Sequence, residues 1–570
     1  MVDWYDVQQL SATGLKTVIS SVFGNFADKR EIQAALSENC PFYYSARDDI
    51  WIDYISDLGD GFNATYTMAH LMAQDQLSIQ GKSLPRGKLL IMGGDQVYPT
   101  PEKEEYKNRL QGPYNAAFPW DNEDPDRPHL FALPGNHDWY DGLTNFLKLF
   151  CQGRALGNWH TQQKRSYFAL QLPHRYWIWG IDVQLNADID KPQQDYFAEI
   201  VKNEMENGDK IILCTAEPAW VYRSLHEKNE SFNRLQFFIN KHIYLKDEEE
   251  SESKKKFRLL ATITGDFHHY SHYEEQPTDG QAGSHLITAG GGGAFMHPTH
   301  MLQSTLHIED TFKAELKETF PSKSASRKLA WLNLAFPVLN RTMAVFLGIF
   351  HLFTTWFLQS TTHTVEGENS FMEQLARIEF SFQNISEMLP VLGKALAHSP
   401  AVIFLNLLLL VGIFMFTDVK SGRGKWNYVA GGPHSMLQFM NLYFLIWLFS
   451  WLNLGILHMR LDSLWQVLLF SLEMIVIGGL LSGLIFGIYL LVSTLIFESH
   501  PTEAFSSFRG TGYKNFLRIH ITKDEVCIYA IGVKRVVTNW KNIGTQEKPT
   551  YTGDEIQPTL IEKISIPVKN

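Results

Sequence analysis

The chain has 570 residues, of which 45% are hydrophobic, and a formal net charge of −11 at pH 7. This length predicts several domains, and the mildly acidic charge without a long basic tract argues against nucleic acid as a partner. The four cysteines have no CxxC spacing, which favours reduced structural cysteines over a disulfide framework. The N-terminus lacks a basic start followed by an apolar run, so we expect no signal peptide.

Five apolar, strand-like segments in the first half of the chain each run into a polar turn. Asp57, Asp95, Asn136, Glu217 and Asp266 lie in these turns. Ligands in α/β proteins collect where strands end, so we expect the five turns to meet at one edge of a sheet. The segments are 51–56, 88–92, 131–132, 211–214 and 259–264.

The turn at residues 133–139 combines three reactive side chains in immediate succession. Asn136 offers a neutral oxygen ligand for a metal ion, and His137 can stand beside it as an acid. Asp138 is placed to orient the His137 ring. Alone, such a tetrapeptide is more often a polar turn than a catalytic site. The presence of four similar turns elsewhere in the chain favours the catalytic interpretation.

The ordered motifs in these turns resemble those of the calcineurin-like metallophosphoesterases. They read DLG at 57–59, GGDQVY at 93–98, GNHD at 135–138 and GDFHH at 265–269. The resemblance covers roughly the first 320 residues, and the DxG and GDxxY forms are most similar to the purple acid phosphatase branch. It implies an α/β (α+β) architecture, a β-sandwich flanked by helices that binds two metal ions. The whole chain is similar to membrane-anchored members of that superfamily.

The resemblance also implies roles for individual residues. Asp57 and His268 would hold the first metal, Asp95 would bridge both metals, and Asn136 would hold the second. His137 would stand over the leaving group as the general acid, and Asp138 completes the predicted catalytic pair. The full set of predicted metal ligands is Asp57, Asp95, Tyr98, Asn136, Asp266 and His268.

Three positions depart from the common family pattern. Gly59 stands where many members have histidine, although the purple acid phosphatase branch also has glycine there. Asp266 replaces the first histidine of the usual GHxH motif. Ala216 occupies the position aligned with the histidine of the fourth motif, and alanine cannot bind a metal. Either Glu217 replaces that histidine, or the second metal site is weakened or lost.

The predicted donor set is rich in oxygen, which decides the expected metals. Carboxylate and amide oxygens suit Mn²⁺ or Mg²⁺, whereas imidazole favours Zn²⁺ or Fe. Tyr98 as a phenolate would favour Fe(III), but a tyrosine packed before Pro99 in a turn is an equally open alternative. We therefore expect two divalent metal ions, manganese first, with iron or zinc as alternatives.

After about residue 325 the composition changes to long apolar runs, which predict four transmembrane helices. The predicted domains are 1–325 as the metallophosphoesterase domain, 326–498 as the transmembrane region and 499–570 as a small β-rich cytoplasmic module. The module is predicted from alternating apolar and polar residues at 516–521 and 526–531. The predicted spans are 342–358, 401–417, 437–457 and 467–497.

Loop charges predict how these helices are oriented. Basic residues precede the first span and lie between the second and third, including Lys420 and Arg423, whereas the loop after the first span is rich in glutamate, including Glu366 and Glu368. The positive-inside rule therefore predicts that both termini are cytoplasmic, with Arg460 as a weak contrary sign.

A glycine stripe, Gly479, Gly483 and Gly487, lies on one face of the fourth span. It predicts close helix contact, either within the bundle or between the protomers of a homo-oligomer. No ladder of buried charges is evident in the other spans, so we expect an anchor rather than a transporter or channel.

Together these features predict a metal-dependent phosphoester hydrolase at the cytoplasmic face of a membrane. A metal-activated hydroxide would attack phosphorus while His137 protonates the leaving group. The expected partners are membrane lipids and a phosphorylated small molecule or phospholipid substrate. The alternative, favoured by Ala216, is a non-catalytic membrane sensor or scaffold that binds metal or a phosphorylated ligand. The sequence leaves the substrate, and monoester versus diester chemistry, open.

Overall fold

The computed structural model describes residues 1–23, 40–183, 189–226, 228–246, 255–277, 283–308, 312–362, 369–419, 424–546 and 548–567. Four residues used above to orient the helices, Glu366, Glu368, Lys420 and Arg423, lie outside these ranges. The chain divides into two compact units. The sheet unit comprises residues 1–2, 12–326 and 509–570, and the helical unit comprises residues 3–11 and 327–508.

The sheet unit is built from two large sheets with helices on both outer faces. Side chains on the facing sides of the sheets, including Ile52 and Ile263, form one shared core. On the outer face of one sheet, Trp179 packs with Phe197 from a helix, and on the other, Leu90 clusters with helical residues such as Met68. The mixed α/β class predicted from the sequence is confirmed.

The larger sheet has nine strands, and its central strands run parallel. In spatial order they are Phe42–Tyr43, Phe168–Gln171, Tyr176–Ile181, Lys210–Thr215, Arg258–Thr264, His285–Ala289, Tyr270–Glu275, Phe312–Phe320 and Thr305–Ile308.

The second sheet has eight strands and includes the strands closest to the N-terminus. In spatial order they are Pro558–Pro567, Glu525–Val533, Lys514–Ile521, Ile50–Ile55, Leu89–Met92, His129–Ala132, Trp159–Thr161 and Ala155–Leu156. Two small hairpins complete the β-structure: Gln76–Ile79 with Lys82–Pro85, and Lys541–Asn542 with Tyr551–Thr552.

The five strands that lead into the predicted site do not share one sheet, as the sequence analysis expected. Ile50–Ile55, Leu89–Met92 and His129–Ala132 are parallel neighbours in the eight-stranded sheet. Lys210–Thr215 and Arg258–Thr264 are parallel neighbours in the nine-stranded sheet. Apolar runs identify strands without saying which sheet each one joins. Because the sheets pack face to face, their strand ends still meet at one end of the sandwich.

The C-terminal residues join this sandwich rather than form a module of their own. Lys514–Ile521 pairs antiparallel with Ile50–Ile55, and Arg518 lies opposite Asp53. These two side chains are fully buried and form a two-pronged ion pair, with Nε–Oδ1 at 2.7 Å and Nη2–Oδ2 at 3.0 Å. The β-character predicted for the tail is present, but the tail supplies three strands of the eight-stranded sheet.

The helices of the sheet unit are short and cover the outer faces. They are Phe62–Ala73, Lys103–Glu105, Tyr106–Gln111, Gly112–Ala117, Asn136–Trp139, Thr144–Phe150, Pro173–Arg175, Lys191–Asn203, Ala219–Leu225, Ser231–Phe238 and Ile239–Ile243. Two further helices, Val7–Phe23 and Lys323–Ala330, each contain a point at which the chain passes from one unit to the other.

Within its described residues, the helical unit has three helices long and apolar enough to cross a membrane: Arg341–Ser360, Gly424–Ile456 and Leu464–Ile496. They match the first, third and fourth predicted spans. The second predicted span corresponds to Pro400–Met415, which is bent by 109° from the preceding helix. The length and composition of these helices therefore support association of the protein with a membrane. The elements, with breaks, are Trp331–Ala335, Phe336–Leu339, Arg341–Thr362, Phe371–Ala376, Phe382–Asn384, Ile385–Ala397, Pro400–Met415, Gly424–Asn427, Tyr428–Ser450, Trp451–Ile456, Leu464–Glu473, Met474–Gly478, Gly479–Ile496 and Pro501–Ser506.

The glycine stripe of the last long helix packs inside the helical unit. A methyl group added at Gly483 would lie 2.8 Å from the Pro337 side chain, and one added at Gly487 would overlap the carbonyl of Asn333. Of the two contacts expected for the stripe, the structure shows the one within the chain, so the stripe is not left open for a second copy.

Candidate functional site

Three aspartates at strand ends share an unusual backbone conformation. Asp57, Asp95 and Asp266 have φ angles of 58°, 48° and 66°, in the left-handed region that L-residues rarely adopt. Such strain costs about 1–3 kcal/mol per residue and persists where the surrounding structure enforces it, most often at functional sites. Here the amide of Asp57 donates to the Gly94 carbonyl at 3.0 Å, and the amide of Asp266 donates to the Asp57 carboxylate at 2.9 Å.

The hydroxyl of Tyr98 lies at the point where three predicted ligands converge. It is 3.0 Å from Asp57 Oδ1, 2.8 Å from Asp95 Oδ2 and 2.9 Å from His268 Nε2. The Nδ1–H of His268 donates to the Phe295 carbonyl at 2.7 Å, so Nε2 is the acceptor side of the neutral ring. One hydroxyl carries one proton, so three buried acceptors compete for a single donor.

The electrostatics of these carboxylates reflect the same shortage of positive charge. Burial raises the pKa of Asp95 to about 7. Burial, reinforced by the charge of Asp95, raises the pKa of Asp266 to about 7. Burial and then the charges of Asp95 and Asp266 hold the pKa of Asp57 well above its ordinary value. Carboxylates crowded together out of water favour either protonation or a bound cation.

His137 lies directly beside this cluster. Its backbone amide contacts both Asp95 Oδ1 at 2.9 Å and Asn136 Oδ1 at 3.0 Å, which brings those two predicted ligands together. Its Nδ1–H donates to the Pro99 carbonyl at 2.8 Å, so Nε2 is the ring atom that exchanges a proton. Burial lowers the pKa of His137 to about 4. The ring centre lies 4.3 Å from that of Tyr98.

The predicted role of Asp138 in orienting His137 is wrong. The Asp138 carboxylate accepts from the amides of Gly135 and Gln96, at 2.9 Å and 3.2 Å, and from the Tyr106 hydroxyl. Consecutive residues in a helix point about 100° apart, so Asp138 in Asn136–Trp139 turns away from its neighbour's ring. The Pro99 carbonyl orients His137, and Asp138 stabilises the turn.

Two of the three positions that depart from the motif pattern, Ala216 and Asp266, lie beside the turn that contains Asp95. A methyl group added at Gly94 would lie 2.9 Å from the Cβ of Ala216, so residue 216 faces the turn that contains Asp95. Asp266 accepts a hydrogen bond from the Tyr222 hydroxyl at 2.6 Å. Burial, followed by the charge of Asp266, raises the pKa of Glu217 to about 8. The turns that contain Ala216 and Asp266 therefore carry two carboxyl groups, those of Asp266 and Glu217.

A segment that follows strand His285–Ala289 supports the site from behind. We call residues 294–297 the strap. The amide of Ala294 donates to the Asp57 carbonyl at 2.9 Å, and the amide of Phe295 donates to the Asp60 carboxylate at 3.0 Å. His297 stacks on His268 with ring centres 4.1 Å apart. The strap thus fixes the orientation of His268.

The C-terminal tail fastens this strap. The ammonium of the fully buried Lys514 donates to the Ala294 carbonyl, and the amide of Met296 donates to the Gly510 carbonyl at 3.0 Å. Burial lowers the pKa of Lys514 to about 7, although Asp60 and Asp57 oppose the shift. The preceding glycines allow close backbone approach, because a methyl group added at Gly291 would overlap Asn515. Lys514 lies more than 200 positions from the strap in sequence, and no local motif connects the two.

The side chains around the Tyr98 hydroxyl meet several requirements of a metal ion. Within the described ranges, no three His, Cys, Asp or Glu side chains form a ready-made metal-binding group. The Tyr98 hydroxyl lies between Asp57, Asp95 and His268, and a phenol is itself a metal ligand. Methyl groups at Gly135 or Gly265 would overlap Asp95 or approach Asp57, so both carboxylates are closely enclosed. In its chemistry the set fits a hard cation.

Comparison with protein-family models gives no match for this chain. Comparison with curated proteins gives no match either.

Proposed function

We propose that this chain is a metal-dependent phosphoester hydrolase of the calcineurin-like type, attached to a membrane by its helical unit. The observation that carries the proposal is the convergence of Asp57, Asp95 and His268 on the Tyr98 hydroxyl. Three buried acceptors around one proton form a site that is short of positive charge. The strained backbone of the aspartates supports the same conclusion, since strain of this kind collects at functional sites.

Two groups of residues would hold two cations. Asp57, Asp95, Tyr98 and His268 would hold the first, and Asp95, Asn136 and Asp266, supported by Glu217, would hold the second. Oxygen donors outnumber the single imidazole, which favours manganese over iron or zinc. When bound, such cations neutralise phosphoryl oxygens and lower the pKa of water.

His137 would handle the proton of the leaving group. Its backbone is tied to Asp95, and the Pro99 carbonyl fixes the ring with Nε2 as the proton-exchanging atom. Burial lowers the pKa of His137 to about 4, so at pH 7 the ring is mainly neutral and Nε2 carries no proton. The negative charge of a bound phosphoester would have to stabilise the protonated ring, which could then donate from Nε2 to the leaving oxygen. The substrate class that fits is a phosphorylated small molecule or a phospholipid.

The connectivity of the sheet unit supports an even number of membrane crossings. Strands Ile50–Ile55 and Lys514–Ile521 are hydrogen-bonded neighbours, so the chain before residue 327 and after residue 508 must lie on one side of a membrane. Among the described residues, three helices long and apolar enough to cross lie between them, and the bent pair Phe382–Ala397 and Pro400–Met415 would supply a fourth crossing. Loop charges favour the cytoplasm as the side that holds both termini.

The alternative function, a non-catalytic sensor of metal or phosphorylated ligands, is favoured by Ala216. A metallophosphoesterase that lacks this histidine retains the first cation site but has only oxygen donors for the second. The sensor would bind the same ligands and leave them intact.

The test uses the purified full chain, stripped with a chelator and reloaded with Mn²⁺. Its substrates are p-nitrophenyl phosphate, bis-p-nitrophenyl phosphate and phospholipid vesicles. We expect hydrolysis of at least one substrate after reloading and none before it. Metal uptake without hydrolysis of any of them would favour the sensor.

A further inference from the structure

The second half of the first helix, Val7–Phe23, presents an apolar face to the outside. Leu15, Val18 and Ile19 are 63%, 60% and 48% exposed. At about 100° per residue these three side chains share one face of the helix, and Thr17 lies on the opposite face. Exposed apolar residues that are scattered singly need no explanation, but three on one face form a patch that indicates a binding surface.

The other side of this helix contacts residues that surround His137. The Lys16 ammonium forms an ion pair with the carboxylate of Glu102, which follows closely the carbonyl that holds the His137 ring. Burial raises the pKa of Tyr140 to about 12, and a contact with the Thr17 side chain opposes that shift. The Tyr140 ring centre lies 4.9 Å from that of His137. The apolar face is therefore on the rim of the candidate site and points away from it.

The same helix begins within the helical unit. Residues 3–11 belong to that unit, and the Tyr5 ring packs edge-on against Phe486 with ring centres 6.0 Å apart. Phe486 lies in Leu464–Ile496, one of the helices long and apolar enough to cross a membrane. An α-helix rises 1.5 Å per residue, so Leu15 is only about 6 Å along the helix axis from residue 11. A bilayer around the helical unit is therefore within reach of the apolar face.

The apolar face carries no charge that could select a charged partner. Lys16 is the only charged residue of Val7–Phe23, and Glu102 already pairs with it. Helices that bind membranes through anionic headgroups carry several Lys or Arg residues on their polar side. Apolar contact is therefore the interaction that this face offers, and the boundary between headgroups and acyl chains provides a matching surface.

We propose that Leu15, Val18 and Ile19 dock into the surface of the bilayer, so that the candidate site opens onto lipid headgroups. This placement narrows the substrate class to a phospholipid, whose phosphate already lies at headgroup depth. The docking stands on its own, whereas the choice of substrate rests on the proposed phosphoesterase activity. A soluble phosphoester gains nothing from the docked face, so hydrolysis of the two kinds of substrate should depend differently on these residues.

Fluorescence quenching tests the docking in the full chain, reconstituted into phosphatidylcholine nanodiscs. In a Cys40→Ser background, an environment-sensitive dye is attached in turn to the variants Leu15→Cys, Ile19→Cys and Thr17→Cys. Nitroxide-bearing lipid should lower the emission at positions 15 and 19 by about half or more, because a docked helix buries its apolar face roughly 5–10 Å into the headgroup and acyl boundary. The dye at position 17, on the opposite face, should keep its emission. Equal quenching at all three positions, or none at 15 and 19, would overturn the docking.

Hydrolysis tests the substrate class. Combining Leu15→Gln, Val18→Gln and Ile19→Gln removes the apolar face but keeps residues that favour helix. We expect hydrolysis of phospholipid in proteoliposomes to fall about tenfold, because the site loses one of its two attachments to the bilayer. Hydrolysis of whichever soluble nitrophenyl ester the wild type cleaves should stay unchanged.

An equal loss on both substrates would show that the helix supports the site instead of docking it, and would overturn the assignment of a phospholipid substrate. If the wild type cleaves neither substrate, the proposed function fails, and the quenching pattern still decides whether the helix docks.

Discussion

The reactivity of His137 follows from what surrounds its two ring nitrogens. One nitrogen is committed to the Pro99 carbonyl, and burial disfavours the charged ring. The residue makes its contact to the predicted metal ligands through its backbone amide rather than its ring. Loss of the ring should therefore remove proton transfer and leave cation binding in place.

We predict that His137→Ala lowers turnover by about 10²–10⁴-fold, the usual contribution of a positioned general acid. Metal content, measured by mass spectrometry of the elements, should remain that of the wild type. Substrates with very acidic leaving groups should lose least, because they depart without a proton. Loss of bound metal together with activity would make His137 a ligand and contradict this assignment.

Lys514 does not contact the predicted ligands directly and instead supports the site through its hydrogen bond to the strap. Its ammonium holds the Ala294 carbonyl, and the neighbouring Phe295 carbonyl fixes the ring of His268. We predict that Lys514→Met weakens Mn²⁺ binding by about 10–100-fold, the usual effect of removing a group that orients a ligand. A pKa of about 7 leaves Lys514 only partly charged at neutral pH, so its removal relieves little repulsion of the metal ion. The loss of the fixed orientation of His268 is therefore the larger effect.

Isothermal titration with Mn²⁺ measures this effect. Lys523→Met, an exposed lysine in the same part of the chain, is the matched control and should bind like the wild type. Tighter binding in Lys514→Met would instead identify Lys514 as a cation that competes with the metal.

Local motifs were sufficient to locate the candidate site but not its supports. Asp57, Asp95 and His268 were predicted because each lies in a short motif next to a strand. The role of Asp138 was mistaken because adjacency in sequence does not give adjacency of side chains on a helix. Lys514 could not be predicted, because its position depends on pairing between strands more than 450 residues apart.

Among the structural elements, the last long helix contains glycines that allow it to pack closely against its neighbours. Gly487 lies against the carbonyl of Asn333, and Gly479 against that of Ala344, so the helix approaches its neighbours at backbone distance. Gly432, in Tyr428–Ser450, has nothing within 4 Å of an added methyl group. The two positions therefore differ in packing although the residue is the same.

We predict that Gly487→Ala destabilises the protein by about 1–3 kcal/mol through overpacking. Gly432→Ala should be neutral or stabilising by up to about 1 kcal/mol, because alanine favours helix. Thermal unfolding of both variants in detergent measures the difference. Equal unfolding midpoints would mean that the stripe reflects composition rather than packing.

The strands of the tail show what an alternating pattern of apolar and polar residues predicts and what it does not. It correctly indicated β-structure at 516–521 and 526–531, although nearly every residue of both strands is buried, so the pattern did not show that both faces are covered. It did not indicate the partner strand, since hydrogen bonding between backbones leaves no trace in side-chain type. The buried pair of Arg518 and Asp53 specifies that partner, and each residue alone resembles an ordinary surface charge.

At the scale of the whole molecule, the helical unit is almost entirely an insertion within the sheet unit. The chain leaves the sheet unit after residue 326, forms the helical unit and returns at residue 509 to complete the eight-stranded sheet. This connectivity links folding to membrane topology, because an odd number of crossings would separate two strands that must pair.

We predict that a cysteine at Trp426 is labelled from the same membrane face as one at Lys523. Cysteines at Glu379 and Asp462 should be labelled only from the opposite face. The exposed Cys40 is first replaced by serine, and a membrane-impermeant maleimide is applied to sealed vesicles of either orientation. Labelling of positions 379 and 426 from one face would show that Pro400–Met415 does not cross.

Metal content tests most directly whether the buried carboxylates form a cation site. Chains loaded with Mn²⁺ and then desalted are compared as wild type, Asp95→Ala and Asp209→Asn. Asp209 is a buried aspartate whose carboxylate instead accepts from Arg175 and Trp177, at 3.0 Å and 2.8 Å, so it controls for general damage to the fold. We predict that the wild type and Asp209→Asn retain up to two ions per chain and that Asp95→Ala loses most of them. Unchanged metal in Asp95→Ala, or none in the wild type, would contradict the claim.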